Sequence, residues 1–289
     1  MDLNRLGVLA YFDTMTGVEG RDFARTVERL GYSALWVPET FGRDPFVMAT
    51  DLLNVTEEIV VGTGIANVWK REPMATAGAA RTIAELFDQR FILGLGVSAG
   101  PFMQRNGLRY ERPVAFMREY LERMTTAPFK APEPAHAPPV VIAGLRPKML
   151  RLGAEAADGI ITALTPPAQI AKMRAVLGPN KLLLAQQMVM LENDAAKARA
   201  GVRTFMRFYL NAPPYRLHFR AMGFAEDELS NGGSDRLIDQ VIAWGDEGVL
   251  RERIEAHRRA GANHVYLIPL SASGERLPEM RVIEALAPA

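Results

Sequence analysis

Residues 91–101 read FILGLGVSAGP, an apolar strand pattern that runs directly into glycines. Gly94, Gly96 and Gly100 follow the spacing G-x-G-x-x-x-G, one residue longer than the fingerprint of dinucleotide-binding turns, and Pro101 comes next. Glycine at this point suits either a doubly wound open sheet or the mouth of a parallel barrel. The number and order of the other strands decide between these two folds.

Short apolar runs alternate with longer amphipathic stretches along the chain, which is typical of parallel strands joined by helical crossovers. The predicted strands are 7–12, 33–37, 59–65, 90–96, 140–144, 159–163, 182–191 and 264–270. Eight is the number that closes into a (β/α)8 TIM barrel. A doubly wound sheet is the rival, but it more often has five to seven strands and places its fingerprint after the first. We therefore predict one α/β barrel domain over residues 1–289, closed by a helix at 277–287.

About seventy residues, 192–263, separate the last two predicted strands and contain the insertion of this barrel together with the helix 251–261. One interpretation is an extra pair of helices with a small core of its own. A sharper one is a lid over the barrel mouth, because insertions between a strand and the next helix lie on the face where barrel enzymes build their sites. The two interpretations are compatible. The aromatic residues that would line such a lid are Phe205, Phe208, Tyr209, Tyr215 and Phe219.

Composition excludes several classes of function. The net charge of +1 gives no electrostatic footprint for nucleic acid or an anionic membrane. With no cysteine there is neither a disulfide nor a thiolate site, and the four histidines lack metal-ligand spacing, so no metal site is expected. His257, in a charged helical stretch, is predicted to be solvated. The first apolar run is too short for a signal peptide or a membrane span, so we expect a cytoplasmic protein.

The predicted carboxyl ends of the strands carry small and hydroxyl residues and few charges. Such a ring suits a planar ligand with a phosphate tail held by backbone N–H groups, since close approach requires glycine. Each glycine taken alone is also consistent with a simple turn. Glu39, after the second strand, has two interpretations: it caps the next helix, or it hydrogen-bonds a ligand ring or handles a proton.

Four segments together resemble one family of barrels: 31–42 (GYSALWVPETFG), 59–98 (IVVGTGIANVWK through GLGVS), 140–163 (VVIAGLRP through GIITA) and 250–270 (LRERIEAHRRAGANHVYLIPL). The chain resembles the luciferase-like monooxygenase superfamily, and more closely its deazaflavin-dependent oxidoreductase branch, which uses coenzyme F-420 (F420). The second segment is the most specific, and the insertion is the least covered.

The resemblance implies positions for the cofactor. Family members hold a cis peptide at the end of the third strand, here the Gly64–Ile65 bond, which presses on the back of the ring. It also implies that Glu39 lies near the ring. The residues expected to contact the cofactor are Glu39, Gly64, Ile65, Gly96, Val97, Ser98, Ala143, Gly144, Thr162 and Ala163.

Two departures from the family bear on the substrate. Sugar-phosphate dehydrogenases of this branch have a histidine where this chain has Thr40, and a glutamate where it has Ala99. Both differences argue against that substrate class and leave no general base identified. Glu39 and Thr40 are the candidate catalytic residues, with Thr40 able to orient a substrate oxygen but not to act as a base near neutral pH.

The resulting prediction is an oxidoreductase that moves a hydride between a deazaflavin and a small, mostly apolar organic substrate. An FMN-dependent luciferase-like monooxygenase is the alternative, with FMN as the alternative cofactor. A non-catalytic flavin- or deazaflavin-binding protein remains open. A homodimer is also expected, because the resemblance implies it and because Ala75, Gly78 and Ala79 permit close helix contact; tight packing onto the barrel is the other interpretation of these small residues.

Overall fold

The computed structural model describes residues 1–273 and 278–288, and a parallel barrel is built from them. Its strands are β1 (Gly7–Leu9), β2 (Ala34–Val37), β3 (Val60–Thr63), β4 (Ala66–Asn67), β5 (Phe91–Gly96), β6 (Val140–Ala143), β7 (Gly159–Thr162), β8 (Leu182–Leu191), β9 (Ala243–Gly245) and β10 (His264–Pro269). Parallel pairing runs in the order β10-β1-β2-β3-β5-β6-β7-β8, and β10 also pairs with β8. That last pairing closes eight strands into a barrel, which confirms the predicted fold.

Helices connect the strands on the outside of the barrel and form the insertion. They are α1 (Gly17–Arg29), α2 (Pro45–Asn54), α3 (Pro73–Leu86), α4 (Gly100–Arg105), α5 (Pro113–Thr125), α6 (Pro147–Ala156), α7 (Pro167–Leu177), α8 (Ala195–Leu210), α9 (Pro213–Ala221), α10 (Asp235–Val241), α11 (Glu247–Arg259) and α12 (Met280–Ala285). Six of these helices begin at a proline, because at the first helical position the missing N–H costs no intrahelical hydrogen bond. Of the predicted closing helix, 277–287, Leu277 lies outside the described residues.

Three short elements differ from the sequence-based expectation. β4 and β9, of two and three residues, extend the edges of β5 and β8 near their carboxyl ends. α4 follows β5 directly, with Pro101 in its first turn. The first strand ends at Leu9 rather than at residue 12. None of these segments is long enough to show a hydrophobic period.

The barrel interior is filled by large side chains opposite glycine. Trp36 points inward from β2, and a Cβ at Gly62 would lie 2.4 Å from its ring. A Cβ at Gly94 would lie 2.0 Å from the carbonyl oxygen of Thr63. Glycine at these positions lets neighbouring strands and Trp36 approach closely, so the interior is packed and the site is confined to the mouth.

The insertion packs on the open end of the barrel. Met206 of α8 and Phe219 of α9 belong to the same buried apolar cluster as Leu9, Trp36 and Ile161 of the barrel interior. The expectation of a small separate core is therefore wrong in this respect: the insertion shares its core with the barrel, because its apolar helix faces have the barrel mouth to cover.

His257 is fully buried, so the prediction that it is solvated is wrong. Its Nε2 lies 2.8 Å from Gln187 Oε1, and burial lowers its pKa to about 4. Leu250 and Ile254 share the buried face of α11 with it, at helical spacing. In this helix the spacing of the apolar residues therefore predicts burial better than the charged residues around His257 predict exposure.

Within residues 1–273 and 278–288, no helix has the length and apolar character needed to cross a membrane. The same residues contain no group of three or more histidine, aspartate or glutamate side chains arranged to hold a metal ion.

Candidate functional site

The carboxyl ends of β3, β5, β6 and β7 present a partly exposed surface of small uncharged residues at the barrel mouth. We call this surface the mouth patch; its members are Gly64, Ile65, Val97, Ala143 and Ala163. Each follows or ends a buried strand, and most of their neighbours within the strands are buried. A surface of this kind can contact the face of a planar ring without offering it a competing charge.

Residues from three strands meet at the centre of the mouth patch. A Cβ at Gly96 would lie 2.6 Å from the side chain of Ile65 and 3.3 Å from Ala143 Cβ. Glycine therefore lets Ile65 lie between β5 and β6. The Gly64–Ile65 bond is cis, as the resemblance implied. These contacts bring four of the predicted cofactor residues together.

The end of β5 is held in place by Trp69. Its indole N–H donates to the Val97 carbonyl oxygen at 2.8 Å, and its ring stacks on Phe116 with a centroid separation of 3.9 Å. Ser98 follows in the left-handed region, with φ of 55°. Trp69 thus anchors the loop after β5.

Gly144 and Thr162 lie behind the mouth patch and are buried. The Thr162 hydroxyl is 2.6 Å from that of Thr165, which lies 3.3 Å from His218 Nε2. Burial lowers the His218 pKa to about 4, against hydrogen bonds to the backbone of Leu145 and Leu164 that raise it. His218 belongs to α9, so this neutral ring ties the insertion to the ends of β6 and β7.

Glu39 lies beside the mouth patch with its side chain 5% exposed. Its Oε2 accepts from the Asn67 N–H at 2.6 Å and from Arg71 Nη1 at 2.5 Å, and its Oε1 lies 3.4 Å from Lys70 Nζ. Its own N–H donates to the Ile65 carbonyl oxygen at 3.1 Å. Glu39 therefore does not cap the following helix: both its backbone and its carboxylate hold the segment that carries the cis bond.

Sequence reasoning did not identify Arg71 as part of the site. Arg71 bridges Glu39 and Asp44 and lies over the Phe46 ring, 5.1 Å from its centroid. Burial lowers its pKa, but the hydrogen bonds and charges of Glu39 and Asp44 together outweigh burial, and the net shift of the pKa is upward. Arg71 therefore stays charged and compensates the buried carboxylate of Glu39.

The hydroxyl of Thr40 donates to Asp13 Oδ2. Asp13 also accepts from the backbone N–H of Arg43 at 2.7 Å and of Gly42 at 3.2 Å. Thr40 is thus part of a loop clamp between the ends of β1 and β2. Its catalytic role, like that of Glu39, remains a prediction.

A second group of polar residues, absent from the sequence-based site, lies on the other side of the mouth. We call it the tyrosine cluster; it consists of Tyr11, Gln186, Tyr209, Tyr215 and Tyr266. The hydroxyls of Tyr11 and Tyr209 are 3.5 Å apart, and the rings of Tyr209 and Tyr215 meet edge to face at 4.9 Å. Tyr11 follows β1, so the rule used for the other strand ends identifies it; the remaining contacts depend on how the insertion docks.

Two helices above the mouth, α4 and α8, contact each other, and we call them the two flaps. Phe102 of α4 stacks on Phe208 of α8 with ring centroids 4.9 Å apart and an interplanar angle of 12°. Phe208 is 46% exposed, so this contact lies at the outer rim. Of the residues predicted to line a lid, Tyr209 and Phe219 are buried and Phe205 and Tyr215 partly so.

A family model described as luciferase-like monooxygenase matches residues 6–264. The chain belongs to this family. Among solved structures, the coenzyme F420 dependent tetrahydromethanopterin reductase from Methanopyrus kandleri superposes with a TM-score of 0.78 at 16% identity. That superposition covers 99% of this chain and 98% of the other.

Two curated relatives in the family align over most of their length. A 5,10-methylenetetrahydromethanopterin reductase of Archaeoglobus fulgidus is 26% identical, covering 84% of this chain and 87% of the relative. A putative coenzyme F420-dependent oxidoreductase of Mycobacterium tuberculosis is 23% identical, covering 96% and 98%.

Proposed function

We propose that this chain is a coenzyme F420-dependent oxidoreductase that transfers a hydride between the deazaflavin ring and a small organic substrate. The observation that carries the proposal is the mouth patch, a partly exposed, uncharged surface at the carboxyl end of a (β/α)8 barrel, where barrel enzymes place their chemistry. The F420-dependent relatives support the same cofactor for this chain.

The residues present fit a planar ring with a polar tail. Ile65 and Ala143 flank Gly96, where any side chain would collide with Ile65, so the surface stays flat only with glycine at this position. Backbone N–H groups near Val97 and Ser98 are the proposed partners of the tail, since an oxyanion is well bound by amides in a left-handed turn. When bound, the deazaflavin supplies a ring carbon that gives or takes a hydride.

We assign Glu39 and Arg71 to holding this surface rather than to proton transfer. The Glu39 carboxylate already accepts from Asn67 and Arg71, and together they fix the chain on both sides of Ile65. Thr40, bonded to Asp13, is proposed to fix the adjacent loop. The chain positions the cofactor and the substrate and excludes water, while the cofactor carries the redox chemistry.

The experiment that tests the proposal is a pair of titrations of the purified protein, one with coenzyme F420 and one with FMN, followed by fluorescence. We expect saturable F420 binding that is tighter than FMN binding. Tight FMN binding without F420 binding would contradict the proposal. Gly96→Val serves as the site variant, because its larger side chain displaces Ile65 and should abolish F420 binding while leaving a folded circular dichroism spectrum.

The family also supports the second candidate, an FMN-dependent monooxygenase, since its description names that activity. The two candidates differ in whether oxygen is consumed. We expect the protein loaded with reduced F420 to reduce substrate under anaerobic conditions, and to take up no oxygen when the same reaction is run in air. Oxygen uptake that requires reduced FMN and this protein would favour the monooxygenase.

A non-catalytic cofactor-binding protein is the third possibility and is distinguished by the same variants. If the chain only binds cofactor, Gly96→Val abolishes binding but no hydride transfer is found in the wild type with any ketone, alcohol or imine offered. We expect instead a measurable transfer in the wild type that is lost together with binding.

We further propose a homodimer formed through α3. Ala75 is exposed and Gly78 and Ala79 are partly exposed, whereas Ala77 and Ala80 of the same helix are buried against the barrel. The small outward residues thus leave room for a close helix contact. Light scattering should give twice the 31.9 kDa chain mass, and a monomer mass would contradict this. A cytoplasmic location is likewise a proposal, to be tested by fractionation.

A further inference from the structure

We propose that the tyrosine cluster is the substrate subsite and that it recognises the oxygen of a small uncharged alcohol or ketone. The inference rests on the proposed function, which places the deazaflavin on the mouth patch. It adds the chemical class of the substrate and the residues that select it. None of these residues belongs to the proposed cofactor surface.

The cluster contains a buried hydrogen-bond acceptor without a donor. Gln186 is 9% exposed, and its Oε1 makes no hydrogen bond. The side chain of the same residue is a hydrogen-bond partner of the Tyr266 hydroxyl. A buried acceptor left without a donor costs free energy comparable to a lost hydrogen bond. A ligand hydroxyl placed beside Gln186 supplies the donor that the folded chain lacks.

The tyrosines supply the hydroxyl groups of the cluster. Burial is the first cause that raises the pKa of Tyr209, Tyr215 and Tyr266, followed for Tyr209 by its tyrosine neighbours and for Tyr215 by Tyr11. These hydroxyls therefore keep their protons near neutral pH and donate hydrogen bonds. An alcohol oxygen can accept from a tyrosine and donate to Gln186, whereas a ketone oxygen can only accept.

The groups that make up the cluster are neutral, which sets the charge of the substrate. Four phenols and one amide offer hydrogen bonds but no counter-charge to a carboxylate or an ammonium. Burying an unpaired charge in such a place is strongly unfavourable, whereas an uncharged oxygen can form its hydrogen bonds with these groups. The cluster therefore selects against charged substrates.

The cluster lies next to the proposed ring position. The Trp36 ring stacks on Tyr266 at a centroid separation of 4.9 Å, and a Cβ at Gly64 would lie 3.4 Å from Trp36 Cβ. The Cβ at Gly64 would also lie 3.5 Å from the side chain of Leu9, which comes two residues before Tyr11. One indole thus separates Gly64 from the tyrosines, so a ring on the mouth patch and an oxygen at the cluster are neighbours.

Exposure within the cluster indicates the direction of entry. Tyr11 and Tyr215 are partly exposed, whereas Tyr209, Tyr266 and Gln186 are buried beneath them. A small molecule enters the cluster beside Tyr11 and Tyr215. The substrate therefore approaches from the insertion side of the mouth, opposite β5.

The experiment measures binding of cyclohexanol, cyclohexanone and cyclohexanecarboxylate to the protein without cofactor, by ligand-observed NMR. We expect the wild type to bind the alcohol and the ketone but not the carboxylate. Tyr209→Phe should weaken both neutral ligands about tenfold. Gln186→Leu should weaken cyclohexanol more than cyclohexanone, because only the alcohol donates to Oε1.

Tyr32→Phe is the matched control, since it removes a buried tyrosine hydroxyl that donates to the Ile283 carbonyl oxygen at 2.7 Å, away from the mouth. Its ligand binding should equal that of the wild type. The proposal is overturned if the wild type binds neither neutral ligand, if it binds the carboxylate as well as the alcohol, or if neither site variant changes binding.

Coenzyme F420 titrations of the same variants separate this inference from the proposed function. Tyr209→Phe and Gln186→Leu should bind F420 with the wild-type dissociation constant. If F420 fails to bind the wild type, the proposed function fails, whatever the alcohols do. If F420 binds normally and the alcohol results are negative, only the substrate assignment fails. Should Tyr209→Phe not fold, Gln186→Leu alone still decides the outcome.

Discussion

The two sides of the barrel mouth use different chemistry. The mouth patch consists of backbone and small apolar side chains held from behind by the Glu39–Arg71 pair, whereas the tyrosine cluster consists of hydroxyls and an amide with an unmet acceptor. The first is suited to a flat ring and the second to a small polar atom. A hydride-transfer site needs both, because the ring and the substrate oxygen must be bound side by side.

The sides also differ in how the chain builds them. The mouth patch comes from segments close to strand ends, while two of the five residues of the tyrosine cluster come from α8 and α9 of the insertion. Three histidines are buried in different parts of the structure: His218 lies in the insertion, His264 in the barrel interior and His257 on α11. Changes at each place therefore test how far the two sides depend on one another.

The largest expected effect is acid destabilisation of the whole barrel. Burial lowers the pKa of His218, His257 and His264 to about 4 from 6.5, so below pH 6.5 the unfolded chain binds more protons than the folded one. The free energy of unfolding should fall between pH 6.5 and pH 4. At pH 5 each histidine lowers it by about 2 kcal/mol relative to pH 8.

Urea unfolding measured across this pH range by tryptophan fluorescence and by circular dichroism checks the prediction. His257→Gln should lower the number of protons that the chain takes up on unfolding from about three to about two. Coincident transitions from the two probes would show that the sides unfold together. A free energy of unfolding that does not change from pH 7 to pH 5 is incompatible with three neutral buried histidines.

The next effect concerns the backbone behind the mouth patch. Gly94→Ala places a Cβ 2.0 Å from the Thr63 carbonyl oxygen, which the closed barrel cannot accommodate without separating β3 from β5. We expect a loss of at least about 3 kcal/mol in the free energy of unfolding. Gly17→Ala is the control, because a Cβ there meets nothing within 4 Å. Equal stability of the two variants would show that β3 and β5 are not packed as described.

A comparable but smaller loss is expected when the charge behind the mouth patch is removed. Glu39→Gln leaves the partly buried Arg71 with Asp44 as its remaining anion, so the free energy of unfolding should fall by about 2 kcal/mol, less than for a fully unpaired buried charge. Glu155→Gln, which breaks the exposed pair with Arg118, should cost less than 1 kcal/mol. If both variants are equally stable, Glu39 does not organise the site.

The smallest effect lies at the outer rim. Phe208→Leu removes the stacking on Phe102, at a cost of about 1 kcal/mol or less because Phe208 is half exposed. Hydrogen exchange of the α4 amides should become faster while that of β5 stays unchanged, since only the flap loses a contact. Unchanged exchange in α4 would mean that the two flaps do not support each other.

Much of the fold and one side of the site could be predicted from the sequence. Alternating apolar runs gave the eight barrel strands, and small residues at strand ends pointed to the surface that includes Gly64, Gly96 and Ala143. The N-terminus of α1 is also set by local residues, because Thr16 and Glu19 form a capping box.

The rest depends on contacts between distant residues. Arg71 meets Glu39 across 32 positions, and nothing local marks it as the partner. Tyr11 and Tyr209 come together only when the insertion covers the barrel, which no hydrophobic period encodes. β4 and β9 are too short for a pattern. The spacing of apolar residues in α11 marks its buried face, but the charged residues around His257 led to the wrong prediction that it is solvated.

The most direct test of the account is the diffraction from crystals of the protein grown with coenzyme F420 and cyclohexanol. We predict the deazaflavin ring in contact with Ile65, Gly96 and Ala143, and the alcohol oxygen within hydrogen-bond distance of Tyr209 and Gln186. A ring bound elsewhere on the barrel, or an alcohol oxygen turned away from the tyrosine cluster, would contradict the division of the mouth into a cofactor side and a substrate side.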